Sequence, residues 1–114
     1  MGLNTTEQEN TRRIVLIESE GSLDAYTASR VRDRIAKLTT AGVNCFVIDL
    51  AKATFIDSAG LAVLVSALKR SRQTGGDVKL VWPSTENSRR ILRLTHFDQV
   101  IDIAEDIDAA MARF

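Results

Sequence analysis

Cys45-Phe46-Val47-Ile48-Asp49-Leu50 is a nearly continuous apolar run, and residues 51–56 connect it to the turn Asp57-Ser58-Ala59-Gly60. An apolar run without alternation fits a strand covered on both faces, as in a parallel sheet, rather than one face of a half-wet hairpin. After the turn, Leu61, Leu64, Val65 and Leu68 recur at i, i+3, i+4 and i+7, which predicts an amphipathic helix. That helix turns polar at Lys69-Arg70-Ser71-Arg72-Gln73 and stops at Gly75-Gly76, with cations in the last turn where the macrodipole favours them. Strand, turn and helix in this order form the unit from which the rest of the chain is read.

Upstream, Arg13-Ile14-Val15-Leu16-Ile17-Glu18 is β-branched and reads as a strand ended by Gly21. Leu3 to Gln8 is a candidate edge strand with Glu9-Asn10 as its turn, or else residues 1–11 form a flexible terminus. Asp24 stands at a helix N-cap position, followed by Ala28, Val31, Ile35 and Leu38 at helical spacing and by Gly42 as a stop. Downstream, Val78-Lys79-Leu80-Val81-Trp82 is a strand ended by Pro83. Ser84 or Thr85 then caps a short helix carrying Ile91 and Leu94. Val100-Ile101-Asp102-Ile103 is a short strand before a last helix with Ile107, Ala110, Met111 and Phe114 on one stripe. Strands alternating with helices at this spacing predict an α/β fold with crossovers and a largely parallel sheet. With 114 residues and no long linker, the expectation is a single domain over residues 1–114.

Fifteen basic residues balance fifteen acidic ones, which argues against nucleic-acid binding by bulk electrostatics. Cys45 is the single cysteine, so neither an internal disulfide nor a cysteine-based zinc cluster is expected. The first residues are polar and unlike a signal peptide, and no apolar run nears the ~20 residues that span a bilayer. A cytoplasmic protein without membrane insertion is expected.

Enzyme signatures are sparse. There is no Gly-x-x-x-x-Gly-Lys loop, and no Gly-x-Gly-x-x-Gly follows the first long strand. Ser58 lacks the glycine two residues before it that a nucleophile elbow needs, and His96, the single histidine, reads as local structure rather than as a triad member. Nothing has metal-ligand spacing. Asp49 ends a buried strand as a phosphoaccepting aspartate would, but Glu18-Ser19-Glu20-Gly21 offers no adjacent acidic pair for Mg²⁺. The expectation is no catalysis, no cofactor and no metal.

Two readings of Asp57-Ser58-Ala59-Gly60 stand side by side. In one, Asp57 or Ser58 is an N-cap and Gly60 only lets the helix pack closely. In the other, the turn lies where ligands approach an open α/β sheet, beyond the carboxyl ends of its strands. A phosphate on Ser58 would then face free amides and the positive end of a helix, so the fold would tolerate it. It would add about −1.5 to −2 charges beside Asp57 and near Asp24. Against a partner carboxylate roughly 7 Å away, at an effective dielectric near 20, the repulsion is roughly 2 to 5 kcal/mol before screening. At ~1.4 kcal/mol per tenfold, that is enough to turn binding off.

Gly21-Ser22-Leu23-Asp24, Val47-Ile48-Asp49-Leu50 and above all Phe55-Ile56-Asp57-Ser58-Ala59-Gly60-Leu61 resemble the STAS domains, and among them the bacterial anti-sigma factor antagonists. Gly75-Gly76 and Ile91-Leu92-Arg93-Leu94-Thr95 fit as well, so the likeness runs from Arg13 to Phe114. The resemblance implies a mixed, mostly parallel sheet of about four or five strands with about four helices packed on it. It also implies that Ser58 is the phosphorylated serine, with Asp24, Asp57, Ala59, Gly60 and Leu61 around it at the partner surface. The implied partners are an anti-sigma factor that is also a serine kinase, which binds the unphosphorylated form and releases the phosphorylated one, and a PP2C-type phosphatase that resets it. The protein itself would be a monomer or weak dimer. Ala59 stands where many relatives have a second serine, Ser22 replaces a frequent acidic residue, and His96-Phe97 replaces a frequent Gly-Leu.

Transporter-associated STAS subunits carry a similar turn, so an accessory role in a lipid-trafficking ABC complex is the alternative. Cys45 reads as buried packing, Trp82 as strand-end packing, and Arg89, Arg90 and Arg93 as a solvated face.

Overall fold

Successive side chains of the central strands enter two different layers of core, one on each face of the sheet. A computed structural model describes residues 3–8 and 13–114. Its main sheet has the order β1 (Leu3–Gln8), β2 (Ile14–Ser19), β4 (Cys45–Asp49), β6 (Asp77–Val81), β7 (Asp102–Ala104). β1 runs antiparallel to β2 at the edge, and the other neighbours are parallel. The turn expected at Glu9-Asn10 lies outside the described residues. Helices α1 (Ala25–Thr40), α2 (Ser58–Gln73) and α3 (Glu86–Leu94) make the crossovers. Because strand order never reverses from β2 to β7, all three pack on one face.

On that face Val15, Ile17, Phe46, Ile48, Val78 and Leu80 join Val31, Ile35, Leu64 and Leu68 in one core. The intervening residues Ile14, Leu16, Cys45 and Val47 point to the other face, where they pack with Ala110 of the short helix α4 (Ile107–Ala112). The continuous apolar run of β4 is thus buried on both sides, all five residues of it. Cys45 is one of those packing groups and is buried.

Two segments depart from the expectation. Gly21–Leu23, read as the end of the first strand, forms strand β3, and Ala53–Ile56, read as connection, forms β5; they pair in parallel as a separate two-stranded sheet. Gly21 permits this because it adopts φ +76° as the chain leaves β2. The last strand also starts two residues later than expected, because residues Phe97–Gln99 form a 3-10 turn that positions Ile101 in the core.

Candidate functional site

The small sheet is what builds the site. β3 ends at Leu23, Asp24 follows, and α1 begins; β5 ends at Ile56, Asp57 follows, and α2 begins. Leu23 and Ile56 are register partners, so the two aspartates leave strands lying about 5 Å apart. The Asp57 N–H donates to the Leu23 carbonyl at 3.3 Å, tying the two strand ends together. Two helix N-termini therefore open side by side on one surface, each capped by an aspartate.

Asp24 Oδ1 accepts from the N–H groups of Tyr26 and Thr27, both at 3.1 Å. Thr27 completes a capping box: its Oγ1 accepts from the Asp24 N–H at 2.9 Å and donates to the Ser22 carbonyl at 2.6 Å. The Thr27 amide above all, with further bonds from its hydroxyl and from Tyr26, holds the Asp24 carboxyl below its ordinary value against some desolvation. Asp57 repeats the cap on α2, its Oδ1 accepting from Ala59 at 2.9 Å and Gly60 at 3.1 Å.

Ser58 is the first residue of α2 and is exposed. The six residues expected at a partner surface separate into two groups. Asp24, Asp57 and Ser58 present polar groups to solvent, whereas Ala59 and Leu61 are half-buried against the core and Gly60 is buried. Gly60 shapes the site from beneath, since a Cβ there would stand 2.4 Å from the Leu23 carbonyl oxygen. The expectation of free amides for a phosphate is met only in part, because the Ala59 and Gly60 N–H groups already bond Asp57.

Two aromatic side chains complete the surface and were not singled out from the sequence. Tyr26, in the first turn of α1, is 73% exposed, and Phe55, on β5 opposite Ser22, is 50% exposed. Residues 53–56 form a strand whose Thr54 and Phe55 are exposed between buried Ala53 and Ile56. Exposed aromatics beside charged groups are the composition of a protein-docking surface.

The other candidates serve structure. Asp49 Oδ1 accepts from the Ala51 N–H at 2.9 Å, and no cluster able to hold a metal ion occurs among the described residues. Arg89 donates to the Pro83 carbonyl and to Glu105 and lies 5.7 Å from the Trp82 ring, while Arg93 pairs with Glu86. His96 is exposed and adopts φ +57° at the end of α3. No helix among the described residues is long and apolar enough to cross a membrane.

The family model of the STAS domain matches residues 4–110. The anti-sigma-B factor antagonist of Bacillus subtilis is 31% identical over 108 residues, covering 91% of this chain and 93% of that one. A candidate anti-sigma factor antagonist of Thermotoga maritima superposes with a TM-score of 0.83 at 26% identity, over 96% of this chain and 92% of that one. The Bacillus cell fate determinant SpoIIAA shares the fold at 20% identity over 96% of this chain. Its TM-score is 0.73 unphosphorylated, over 96% of that chain, and 0.70 phosphorylated, over 98%.

Proposed function

The chain belongs to the STAS family, and from that premise we propose that it is an anti-sigma factor antagonist whose docking is switched by phosphorylation of Ser58. The unphosphorylated protein binds an anti-sigma factor that is also a serine kinase. Transfer of phosphate from ATP to Ser58 releases it, and a PP2C-type phosphatase restores the binding form. The protein acts as one unit in the cytoplasm and is the substrate of this chemistry rather than its catalyst.

The observation carrying this reading is the placement of exposed Ser58 at a helix start directly after the capping carboxylate of Asp57, with a second capped helix start at Asp24 held alongside. Two carboxylates set against two helix ends of about +0.5 each leave the surface near −1. A phosphate brings it to about −3. Two of the amides that would otherwise offset the phosphate, those of Ala59 and Gly60, are already bonded to Asp57, so most of the added charge is left to act on the partner. Release then needs only local repulsion and bulk, with no rearrangement of the fold. Tyr26 and Phe55 supply apolar contact in the unphosphorylated complex.

Incubation with the cognate kinase and ATP tests this. Phosphate is expected on Ser58 alone, Ser58→Ala is expected to stay bound in the presence of ATP, and Ser58→Asp is expected to bind poorly. No phosphate on Ser58, or co-purification with a transporter ATPase in place of a kinase, would overturn the reading.

A further inference from the structure

The zero net charge of this chain conceals a strong segregation. Helices α1 and α2 contain seven of the fifteen Lys and Arg residues and, in Asp33, one of the fifteen acidic ones. They therefore carry +6, and the rest of the chain −6. Lys37, Arg70 and Arg72 lie in last turns, where they complement the helix dipoles. Arg30, Arg32, Arg34 and Lys69 do not, so capping does not account for the excess.

Part of this charge surrounds a concavity. The two helices pack side by side, and between them runs a groove of ≈ 290 Å³ with Ile35, Val63 and Ala67 at its floor and Arg32, Lys69 and Arg70 at its rim. Elsewhere several cations pair with carboxylates: Lys52 with Glu20, Arg72 with Asp77, Arg89 with Glu105, Arg93 with Glu86, Arg113 with Asp102, whereas Arg30, Lys37 and Arg90 stand singly in solvent among the described residues. Among the described residues, Arg32, Lys69 and Arg70 have no such partner. Lys69 lies eleven residues along α2 from Ser58, about 16 Å up the helix axis. This groove is distinct from the phosphorylation surface.

We propose that the α1–α2 groove docks an acidic amphipathic helix of a partner protein, its apolar side chains seated on Ile35, Val63 and Ala67 and its carboxylates facing Arg32, Lys69 and Arg70. Three cations converging on one concavity favour an anionic occupant over a neutral or basic one. The apolar floor between them selects a ridge of side chains over the uniformly charged backbone of a nucleic acid. A lipid surface is disfavoured because the exposed large apolar residues, Tyr26, Phe55, Leu94 and Val100, all lie outside the groove. The proposal does not depend on phosphorylation of Ser58.

The test is an NMR titration of the isotopically labelled protein with a helical Leu/Glu peptide of about five turns. Its Leu/Lys counterpart, a short DNA duplex and phosphatidylglycerol vesicles are compared. The Leu/Glu peptide should cause saturable shifts at the Arg32, Ile35, Val63, Ala67 and Lys69 amides. The double variant Lys69→Gln, Arg70→Gln, altered at two exposed sites and placing no anion at the helix end, should stay folded with a melting temperature at most a few degrees lower and bind it about tenfold more weakly or worse. The proposal is overturned if those amides do not shift, if the Leu/Lys peptide or the double variant binds equally well, or if duplex or vesicles saturate the face more tightly than the Leu/Glu peptide.

Discussion

Replacing Gly60 with alanine sets two effects of opposite sign against each other. Alanine inside a helix is favoured over glycine by about 0.8–1 kcal/mol. The new Cβ, however, would lie 2.4 Å from the Leu23 carbonyl oxygen, 2.9 Å from Leu23 Cγ and 3.2 Å from Ile56 Cγ2. A carbon–oxygen contact settles near 3.3 Å, so the first separation must open by roughly 0.9 Å. The obstructing atom is backbone and cannot rotate aside. Either β3 or the first turn of α2 must move, and the Asp57–Leu23 hydrogen bond is lost with it. Overpacking costs about 1–3 kcal/mol and the bond about 1 kcal/mol, which exceeds the propensity gain. Gly60→Ala is therefore expected to lose about 1–3 kcal/mol, seen in urea as a midpoint lower by roughly 0.7–2 M at an unchanged slope near 1.5 kcal/mol/M. Because the strain falls on the strand ends that hold Asp24 beside Asp57, phosphorylation of Ser58 should slow in the folded variant too. A variant as stable as wild type would refute the reasoning, since it would show that nothing at Gly60 depends on the missing side chain.

Ser71 Oγ is buried on α2 without a hydrogen-bond partner among the described residues, so Ser71→Ala should stabilise the protein by about 1 kcal/mol in the same urea experiment. Tyr26→Ala and Phe55→Ala remove exposed rings and should leave stability within about 0.5 kcal/mol of wild type, while each weakens partner binding about tenfold or more by calorimetry. Burial alone would raise the Asp77 carboxyl, but Lys79 at 2.9 Å, the Val78 N–H at 2.9 Å and the Arg72 charge together hold it below its ordinary value. Asp24 is likewise lowered. Carboxyls lowered by folding contribute stability that is complete above the unfolded value, about 3.9, and is lost as pH falls through the folded one. Melting temperature should accordingly hold from neutrality to about pH 5 and drop below about pH 4, with Asp77→Asn flattening that acid limb.

The parts of this molecule written in short-range patterns were legible from residues alone. The run 45–50 is buried on both faces because it sits mid-sheet, and its lack of alternation is the direct trace of that burial. Asp24 and Thr85 cap the helices at the positions their side chains suggest. The small sheet was not legible. Gly21–Leu23 and Ala53–Ile56 are three and four residues long and are stabilised by pairing with each other across more than thirty positions. Strand propensity cannot signal such a partnership. That sheet sets Asp24 beside Asp57, so the candidate site was legible as a list of residues but not as a place. Of the two readings of Gly60, the close packing of the helix is the one the structure supports, though the partner it packs against, the Leu23 backbone, was not legible. The basic groove was hidden differently, because a balanced total says nothing about how charge divides between helices.

The central claim is that phosphate on Ser58 weakens docking by local charge and bulk, without rearranging the fold. Calorimetry of the protein against its anti-sigma factor, before and after quantitative phosphorylation of Ser58, measures this directly. The account predicts at least ~30-fold weaker binding, the equivalent of about 2 kcal/mol, with the gap narrowing as salt rises and the fold unchanged by circular dichroism. Equal affinity of the two forms would contradict it.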